Sequence, residues 1–194
     1  MSNRYRKKLP GPLPHIWLMT DERVQAERLL TAAVHLPKGC GGIVFRHYRT
    51  PPEARRALFQ ALRVIARRRR LVLLLAGSVR DAQAWGADGV HGRDGRRAVR
   101  PMLRSRAVHD RREAVEARGA DLCFISPLFP TRSHPGATAL GRVRFAALVR
   151  QVDAPVMALG GVRTLHRAML RGLGAAGWAA IDGLTRYQSL PCSI

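Results

Sequence analysis

Short apolar runs alternate with longer amphipathic stretches along most of the chain. Eight of these runs have the composition of β-strands, near residues 15–20, 42–46, 71–75, 89–91, 104–108, 122–126, 156–159 and 177–181. The stretch 51–69 between two of them has apolar side chains at helical spacings of three and four, at Ala54, Leu58, Leu62 and Ile65. Strands and helices that alternate in this way are typical of βα units around a parallel sheet.

A short motif recurs between predicted helices and strands. Gly-Ala-Asp occupies 86–88 and 119–121, and 174–176 is a third copy with alanine in place of aspartate. Glycine can end a helix in the left-handed conformation, so the recurrence indicates a repeated αβ unit. No dinucleotide-binding fingerprint follows the first strand, which favours one α/β domain with a closed (β/α)8 (TIM) barrel over an open doubly wound sheet. We expect the barrel over 15–189, after a flexible, basic, proline-rich segment 1–14 and before a short tail 190–194.

The charge of the chain raises the question of a nucleic-acid partner. The 194 residues carry a formal net charge of +21, and lysine occurs only at Lys7, Lys8 and Lys38, so nearly all of the excess is arginine. These arginines are spread along predicted helices, and aromatic residues, 6% of the chain, do not interleave with them as a base-stacking surface requires. A solvated surface therefore accounts for the charge better than a nucleic-acid face does, although RNA stays open as a partner.

Several features of the sequence bear on the cellular compartment of the protein. The three cysteines, Cys40, Cys123 and Cys192, have no metal-ligand spacing and cannot all pair with one another. Prolines at 10, 12 and 14 interrupt the segment where an export signal would need an apolar stretch. No apolar run has the length of a membrane span. These features predict a cytoplasmic protein without a membrane partner.

Two loops at the carboxyl ends of the predicted strands indicate a phosphate site. Barrels of this kind bind ligands at that end and usually hold phosphate in the loops after the seventh and eighth strands. Gly160 and Gly161 follow the seventh strand, where paired glycines let backbone N–H groups approach an anion, or serve only a tight turn. Ile181 and Asp182 end the eighth strand, and the carboxylate of Asp182 would repel phosphate unless its side chain points away.

The long loop 126–138 is a candidate lid. It combines prolines with hydroxyls, a cation and a titratable ring, at Thr131, Arg132, Ser133 and His134. Long loops in compact barrels are more often functional than not, so we expect this loop to cover a ligand.

Four ordered segments carry a resemblance to a known family. They read Leu-Met-Thr-Asp at 18–21, Gly-Ala-Asp-Gly-Val-His at 86–91, Pro-Leu-Phe-Pro-Thr at 127–131 and Pro-Val-Met-Ala-Leu-Gly-Gly-Val at 155–162. Together, over about residues 15–185, they resemble the thiamine phosphate synthase and thiazole tautomerase family. The resemblance implies a (β/α)8 barrel, and in the synthase branch the joining of a pyrimidine pyrophosphate to a thiazole phosphate, with loss of pyrophosphate and help from Mg²⁺. It also implies thiazole phosphate binding by Gly160, Gly161 and the backbone around Ile181 and Asp182, and pyrophosphate binding by Thr131 and Ser133.

The chain departs from the synthase pattern where pyrophosphate and metal would bind. Arg46 alone remains of a Gln-x-Arg-x-Lys pattern, since Val44 and Tyr48 take the other places. An Asn-Asp pair that supplies a magnesium ligand is replaced by Ala76 and Gly77, which leaves Asp94 as the candidate metal ligand. Ala107 replaces a hydroxyl, and His134 replaces a lysine. Departing pyrophosphate builds up negative charge, so we expect guanidinium groups to replace the lost charge, at Arg93 and Arg132.

Three hypotheses follow from these residues. The first is a synthase-type enzyme acting on small-molecule phosphate ligands, with Arg46, His109 and His134 as catalytic candidates and Mg²⁺ as a doubtful cofactor. The second is a tautomerase-type enzyme that needs no metal and exchanges protons through His109 or His134. The third is a noncatalytic barrel that binds a phosphate ligand or RNA. The resemblance also implies pairing of barrels into a homodimer.

Overall fold

Eight parallel strands close into a barrel in sequence order, which confirms the predicted fold. The structure, a computed structural model, describes residues 11–131, 136 and 138–185. Of the predicted terminal segments, residues 1–10 and 190–194 lie outside the described residues. The strands are β1 (Ile16–Met19), β2 (Gly41–Phe45), β3 (Val72–Ala76), β4 (Gly89–His91), β5 (Leu103–Val108), β6 (Leu122–Ile125), β7 (Val156–Ala158) and β8 (Gly177–Ala180).

The outer layer consists of helices that follow seven of the eight strands. They are α1 (Ala26–His35), α2 (Pro52–Arg69), α3 (Val79–Ala84), α4 (Arg111–Glu116), α5 (Gly141–Val149), α6 (Arg167–Gly172, after a 3₁₀ turn over Thr164–His166) and α7 (Asp182–Thr185). Residues 92–102, all of which are described, join β4 to β5 without a helix. This connection departs from the regular βα alternation because its glycines, proline and charged residues leave too few apolar positions for a helical face.

None of the described helices is long and apolar enough to cross a bilayer.

Two layers of apolar packing hold the barrel. One fills the space between sheet and helices. The other fills the inside of the barrel, where the rings of Trp17 and Phe124, on strands that are not neighbours, meet edge to face at 5.5 Å. A Cβ at Gly42 would lie 2.4 Å from the Trp17 ring, so the glycine makes room for this indole. The lower part of the barrel is therefore solid, and only its carboxyl end can admit a ligand.

The repeated Gly-Ala-Asp motif forms the same contact twice. In the first copy Asp88 donates its N–H to Leu73 O at 2.9 Å and accepts the Leu73 N–H through Oδ2 at 2.8 Å. In the second copy Asp121 makes the same pair with Arg104, at 2.8 Å for both bonds. Ala176 in the third copy keeps the backbone bond to Val156 O at 2.8 Å. These aspartates therefore fasten neighbouring strands and are structural.

We expect Asp121→Ala to lower the free energy of unfolding by about 2 kcal/mol, because the Arg104 N–H loses its acceptor inside the sheet. Urea denaturation measures this loss. Asp153→Ala removes an exposed carboxylate and should change stability by no more than about 0.5 kcal/mol. Equal losses in the two variants would contradict the structural role.

Candidate active site

Arg46 is held firmly at the carboxyl end of the barrel. It directly follows β2, two residues after Val44, which packs inside the barrel. Its Nε–H donates to Thr20 O at 2.8 Å, and its Nη2 lies 3.4 Å from Asp21 Oδ2. Burial lowers the pKa of this guanidinium, and the charge of Asp21 opposes that effect. A fixed, largely desolvated cation at this position can act strongly on a bound anion.

Thr20 and His47 hold the backbone of Arg46 in place. Both lie at the ends of predicted strands, but the sequence predicted no role in the site for either of them. The Thr20 hydroxyl accepts the Arg46 backbone N–H at 2.9 Å and shares a 2.9 Å hydrogen bond with His47 Nδ1. His47 is 5% exposed and has a φ of 29°, a conformation rare for residues other than glycine. Burial lowers the pKa of His47. A neutral imidazole thus helps to fix the Arg46 backbone.

Arg55 joins the ends of two strands beneath the same site. Its Nη2 donates to Ala76 O at 2.7 Å and to Arg46 O at 3.3 Å. The guanidinium lies over the rings of Phe45 and Trp85, 5.6 and 5.1 Å from their centroids. This arginine therefore belongs to the framework of the site, because its hydrogen bonds and ring contacts all go to the chain itself.

Asp21 and Asp182 surround a second guanidinium at the junction of β1 and β8. Arg23 contacts Asp21 through Nε and Nη2 at 2.8 and 3.0 Å. Burial alone would raise the pKa of Asp21, but the hydrogen bonds and charge of Arg23 lower it below its usual value. The hydrogen bond that Arg23 donates to Asp21 raises the pKa of Arg23, and the charge of Asp182 adds to this effect. The negative charge of Asp182 is therefore partly compensated by Arg23 at the candidate phosphate site.

His91 lies inside the barrel and is neutral. Its Nδ1 shares a 2.9 Å hydrogen bond with Ser105 Oγ, and its ring contacts Phe124 edge to face at 5.6 Å. Burial, followed by the positive charges of Arg46 and Arg106, lowers the pKa of His91 to about 4.

The low pKa of His91 predicts a specific loss of stability in acid. The unfolded chain binds this proton near pH 6.5 and the folded chain only near pH 4. The stability that neutral His91 contributes is therefore complete above about pH 6.5 and falls, by about 3 kcal/mol in total, as the pH drops to 4. Urea denaturation of the wild type and of His91→Gln between pH 8 and 4 measures the difference. Parallel pH profiles of the two proteins would contradict this assignment.

Gly160 and Gly161 bring the loops after β6 and β7 together. The φ angles are +93° and +63°, values that favour glycine. A Cβ on Gly160 would lie 2.7 Å from Pro127 Cα, and one on Gly161 would lie 2.7 Å from Phe129 Cβ. Leu128 and Phe129 donate their N–H groups to the backbone of the β7 loop at 2.8 and 3.1 Å.

The same two glycines leave donors for a ligand. Within the described residues, neither the Gly160 nor the Gly161 N–H donates a hydrogen bond to the chain. The Ile181 N–H, at the end of the neighbouring β8, is likewise without an acceptor among the described residues. The glycines thus form a tight turn and also provide N–H groups without an acceptor among the described residues, as an anion site needs.

His109 and Arg93 share one carboxylate at the rim. His109 Nδ1 lies 2.7 Å from Glu113 Oε2, and Arg93 Nη2 contacts Glu113 Oε1. Arg93 Nη1 lies 3.8 Å from Glu116, and its side chain is 68% exposed. Both candidates are therefore tied to α4, and a phosphate group would compete with Glu113 for them.

Asp94 is engaged by the backbone. Its Oδ2 accepts the Val79 N–H at 2.8 Å and its Oδ1 accepts the Arg96 N–H at 2.9 Å. These hydrogen bonds lower the pKa of Asp94 and fasten the β4 loop to the start of α3. No group of three potential metal ligands occurs among the described residues. Both oxygens of the Asp94 carboxylate already accept backbone N–H groups. This single carboxylate is therefore poorly suited to hold a magnesium ion.

The structure describes only one of the four candidate residues in the predicted lid. Thr131 directly follows Pro130 and is half-buried. Arg132, Ser133 and His134 lie outside the described residues. Their predicted roles at the pyrophosphate stay predictions.

The chain is similar to known proteins over nearly the whole barrel. Residues 16–184 match a family model described as thiamine monophosphate synthase. The thiamine-phosphate synthase of Roseiflexus castenholzii is 31% identical, with 90% of this chain and 84% of that protein covered. The one from Methylococcus capsulatus is 29% identical, with 91% and 84% covered. The solved structure of a thiamine phosphate pyrophosphorylase from Pyrococcus furiosus has a TM-score of 0.73 at 24% identity, with 95% of this chain and 91% of that one covered, and shares the fold.

Proposed function

Because the chain belongs to the thiamine monophosphate synthase family, we propose that it joins a hydroxymethylpyrimidine pyrophosphate to a thiazole phosphate and releases pyrophosphate. The observation that carries the proposal is the family match, which spans residues 16–184 and so includes every strand of the barrel. The relatives are named for the same activity and align along most of their own length.

Two parts of the mouth suit the two substrates. The N–H groups of Gly160, Gly161 and Ile181, which have no acceptor among the described residues, suit the dianionic phosphate of the thiazole, since backbone donors approach phosphate oxygens without a bulky side chain. Arg46 suits the pyrophosphate, because a fixed guanidinium can form two parallel hydrogen bonds to phosphate oxygens. Binding at these points would bring the thiazole nitrogen toward the pyrimidine methylene.

The proposed reaction is a displacement at this methylene carbon. The thiazole nitrogen forms a bond to the carbon as the bond from the carbon to the pyrophosphate oxygen breaks, and the electron pair leaves with pyrophosphate. Arg46 stabilises the charge that develops on the leaving group. His91, neutral and buried between Ser105 and Phe124, contributes a fixed wall beside the reacting groups. No step is assigned to Mg²⁺, because Asp94 is engaged with backbone N–H groups.

A direct assay tests the proposal. The purified full chain is given both precursors over a series of Mg²⁺ concentrations, and thiamine phosphate and released pyrophosphate are measured together. We expect both products in equal amounts, and none when either precursor is omitted. Absence of thiamine phosphate at every Mg²⁺ concentration would overturn the proposal.

Isomerisation of a thiazole phosphate is a second candidate activity. It is favoured by the apolar side chains at positions where the synthase pattern has polar groups, at Val44, Ala76 and Ala107. Such a reaction keeps the phosphate site and needs no metal. Incubation of the thiazole phosphate isomers in a chelator, followed by NMR, distinguishes it from the coupling reaction.

A further inference from the structure

The missing helix after β4 leaves a groove on the outside of the barrel. The groove has a volume of about 480 Å³, is shallow and open to solvent, and lies between α3 and the loop 92–102. It is lined by Val79, Arg80, Gln83, Ala84, Arg96, Arg97 and Val99. This volume is within the range of small-molecule sites.

Hydrogen bonds hold both sides of this groove in place. Asp94 Oδ2 accepts the N–H of Val79, the first residue of α3, at 2.8 Å. Past the other end of α3, Arg100 Nη2 donates to Ala87 O at 2.7 Å. Arg104 Nη1 donates to Asp94 O at 2.9 Å. The loop is therefore fastened to the barrel on either side of the groove, although it has no regular secondary structure.

The lining combines free positive charge with apolar surface. The guanidinium groups of Arg80, Arg96 and Arg97 make no hydrogen bond or ion pair within the part of the chain that the structure describes. The lining itself contains no acidic residue, although the charge of Arg96 adds to the lowering of the pKa of Asp94 beside the groove. Ala84 and Val99 supply apolar surface, and Val99 is 96% exposed, whereas Val79 forms the buried floor beneath them. The groove therefore presents cationic and apolar groups side by side.

We propose that this groove binds a small organic anion, in which a carboxylate, sulfonate or phosphate is joined to a flat or aliphatic apolar body. The arginines bind the anionic group, and Ala84 and Val99 cover the apolar body. Gln83 adds an amide that can donate or accept one hydrogen bond. Inorganic phosphate has the anionic group but no apolar body. An extended nucleic acid would need aromatic stacking surfaces, which this lining does not have.

The dye 8-anilinonaphthalene-1-sulfonate has this chemistry and becomes fluorescent on an apolar surface. We expect saturable binding of one dye per chain in the wild type. Arg96→Ala/Arg97→Ala and, separately, Val99→Asp should each weaken it about tenfold. Arg67→Ala/Arg68→Ala removes the same charge from the end of α2 and should leave the dye affinity unchanged. Arg46→Ala should also leave it unchanged, which separates this groove from the mouth of the barrel.

Competition at constant ionic strength identifies the class of ligand. An aromatic carboxylate or a nucleoside monophosphate should displace the dye at lower concentration than inorganic phosphate does. If Arg67→Ala/Arg68→Ala weakens dye binding as much as Arg96→Ala/Arg97→Ala does, charge alone attracts the dye. This result would overturn the proposal. Displacement by oligouridylate at lower concentration than by uridine monophosphate would also overturn it, because the groove would then be part of a polymer-binding face.

Discussion

Replacement of Gly160 by alanine is expected to lower the free energy of unfolding by about 4 kcal/mol. A φ of +93° strains any side chain other than glycine by about 1–2 kcal/mol. The added methyl would lie 2.7 Å from both Cα and Cβ of Pro127 and 3.2 Å from the Leu128 N atom, and overpacking of this kind costs about 1–3 kcal/mol more. For a chain of this size the loss corresponds to a fall in Tm of about 12 °C. Thermal and urea denaturation measure it.

Gly119→Ala separates the strain from the clash. Gly119 has a φ of +82° but open space around the position of a Cβ, so its replacement should cost only about 1 kcal/mol. In the Gly160→Ala protein we also expect weaker binding of the thiazole phosphate, because the loop that presents the Gly160 and Gly161 N–H groups must move. If the two glycine variants lose equal stability, the close approach of Gly160 to Pro127 is not the cause.

Replacement of Arg46 by alanine is expected to reduce kcat/KM for the coupling reaction about 1,000-fold. The guanidinium is fixed by Thr20 and Asp21 and is largely buried, so its charge acts on pyrophosphate in a poorly screened environment. Removal of one preorganised group that stabilises developing charge costs about 10²–10³-fold in rate. Arg46→Lys keeps the charge without the planar donor pair and should lie between the wild type and Arg46→Ala. Steady-state kinetics with both precursors measures these differences.

Arg23 supplies a matched control for this variant. It contacts the same carboxylate, Asp21, but its side chain is 51% exposed. Arg23→Ala should change kcat/KM by only a few-fold, because water screens its charge. A similar loss in both variants would mean that the position of Asp21, rather than the Arg46 charge, determines the rate.

The pattern of apolar positions predicted most of the fold. Each of the eight predicted strands overlaps an observed one, because a strand buried on both faces has a continuous apolar run such as Val72–Ala76. The helix predicted over 51–69 begins at Pro52 and ends at Arg69. The connection after β4 departs from this pattern, because it contains no helix. The only sign of this in the sequence is the small number of apolar residues in 92–102.

The candidate site was predicted less completely. The sequence located Arg46 and the paired glycines, because position after a strand is enough to place a residue at the mouth. It did not identify the hydrogen bond between Thr20 and His47, which are 27 positions apart. Nor did it identify the contacts of Arg93 and His109 with the Glu113 carboxylate. Such bonds depend on side-chain directions at the ends of neighbouring elements, for which a single sequence has no periodic signal.

The sequence by itself determined the barrel, its family and the chain positions of the phosphate-binding loops, since these follow from periodicity and from local motifs. Only the tertiary structure decided which groups are already occupied. In the folded chain, Asp94 accepts hydrogen bonds from backbone N–H groups, and the N–H groups of Gly160 and Gly161 have no acceptors among the described residues. A groove also lies between α3 and the β4 loop. The physical reason is that hydrogen-bond satisfaction and burial are set by residues far apart in the chain, which meet only when the barrel closes.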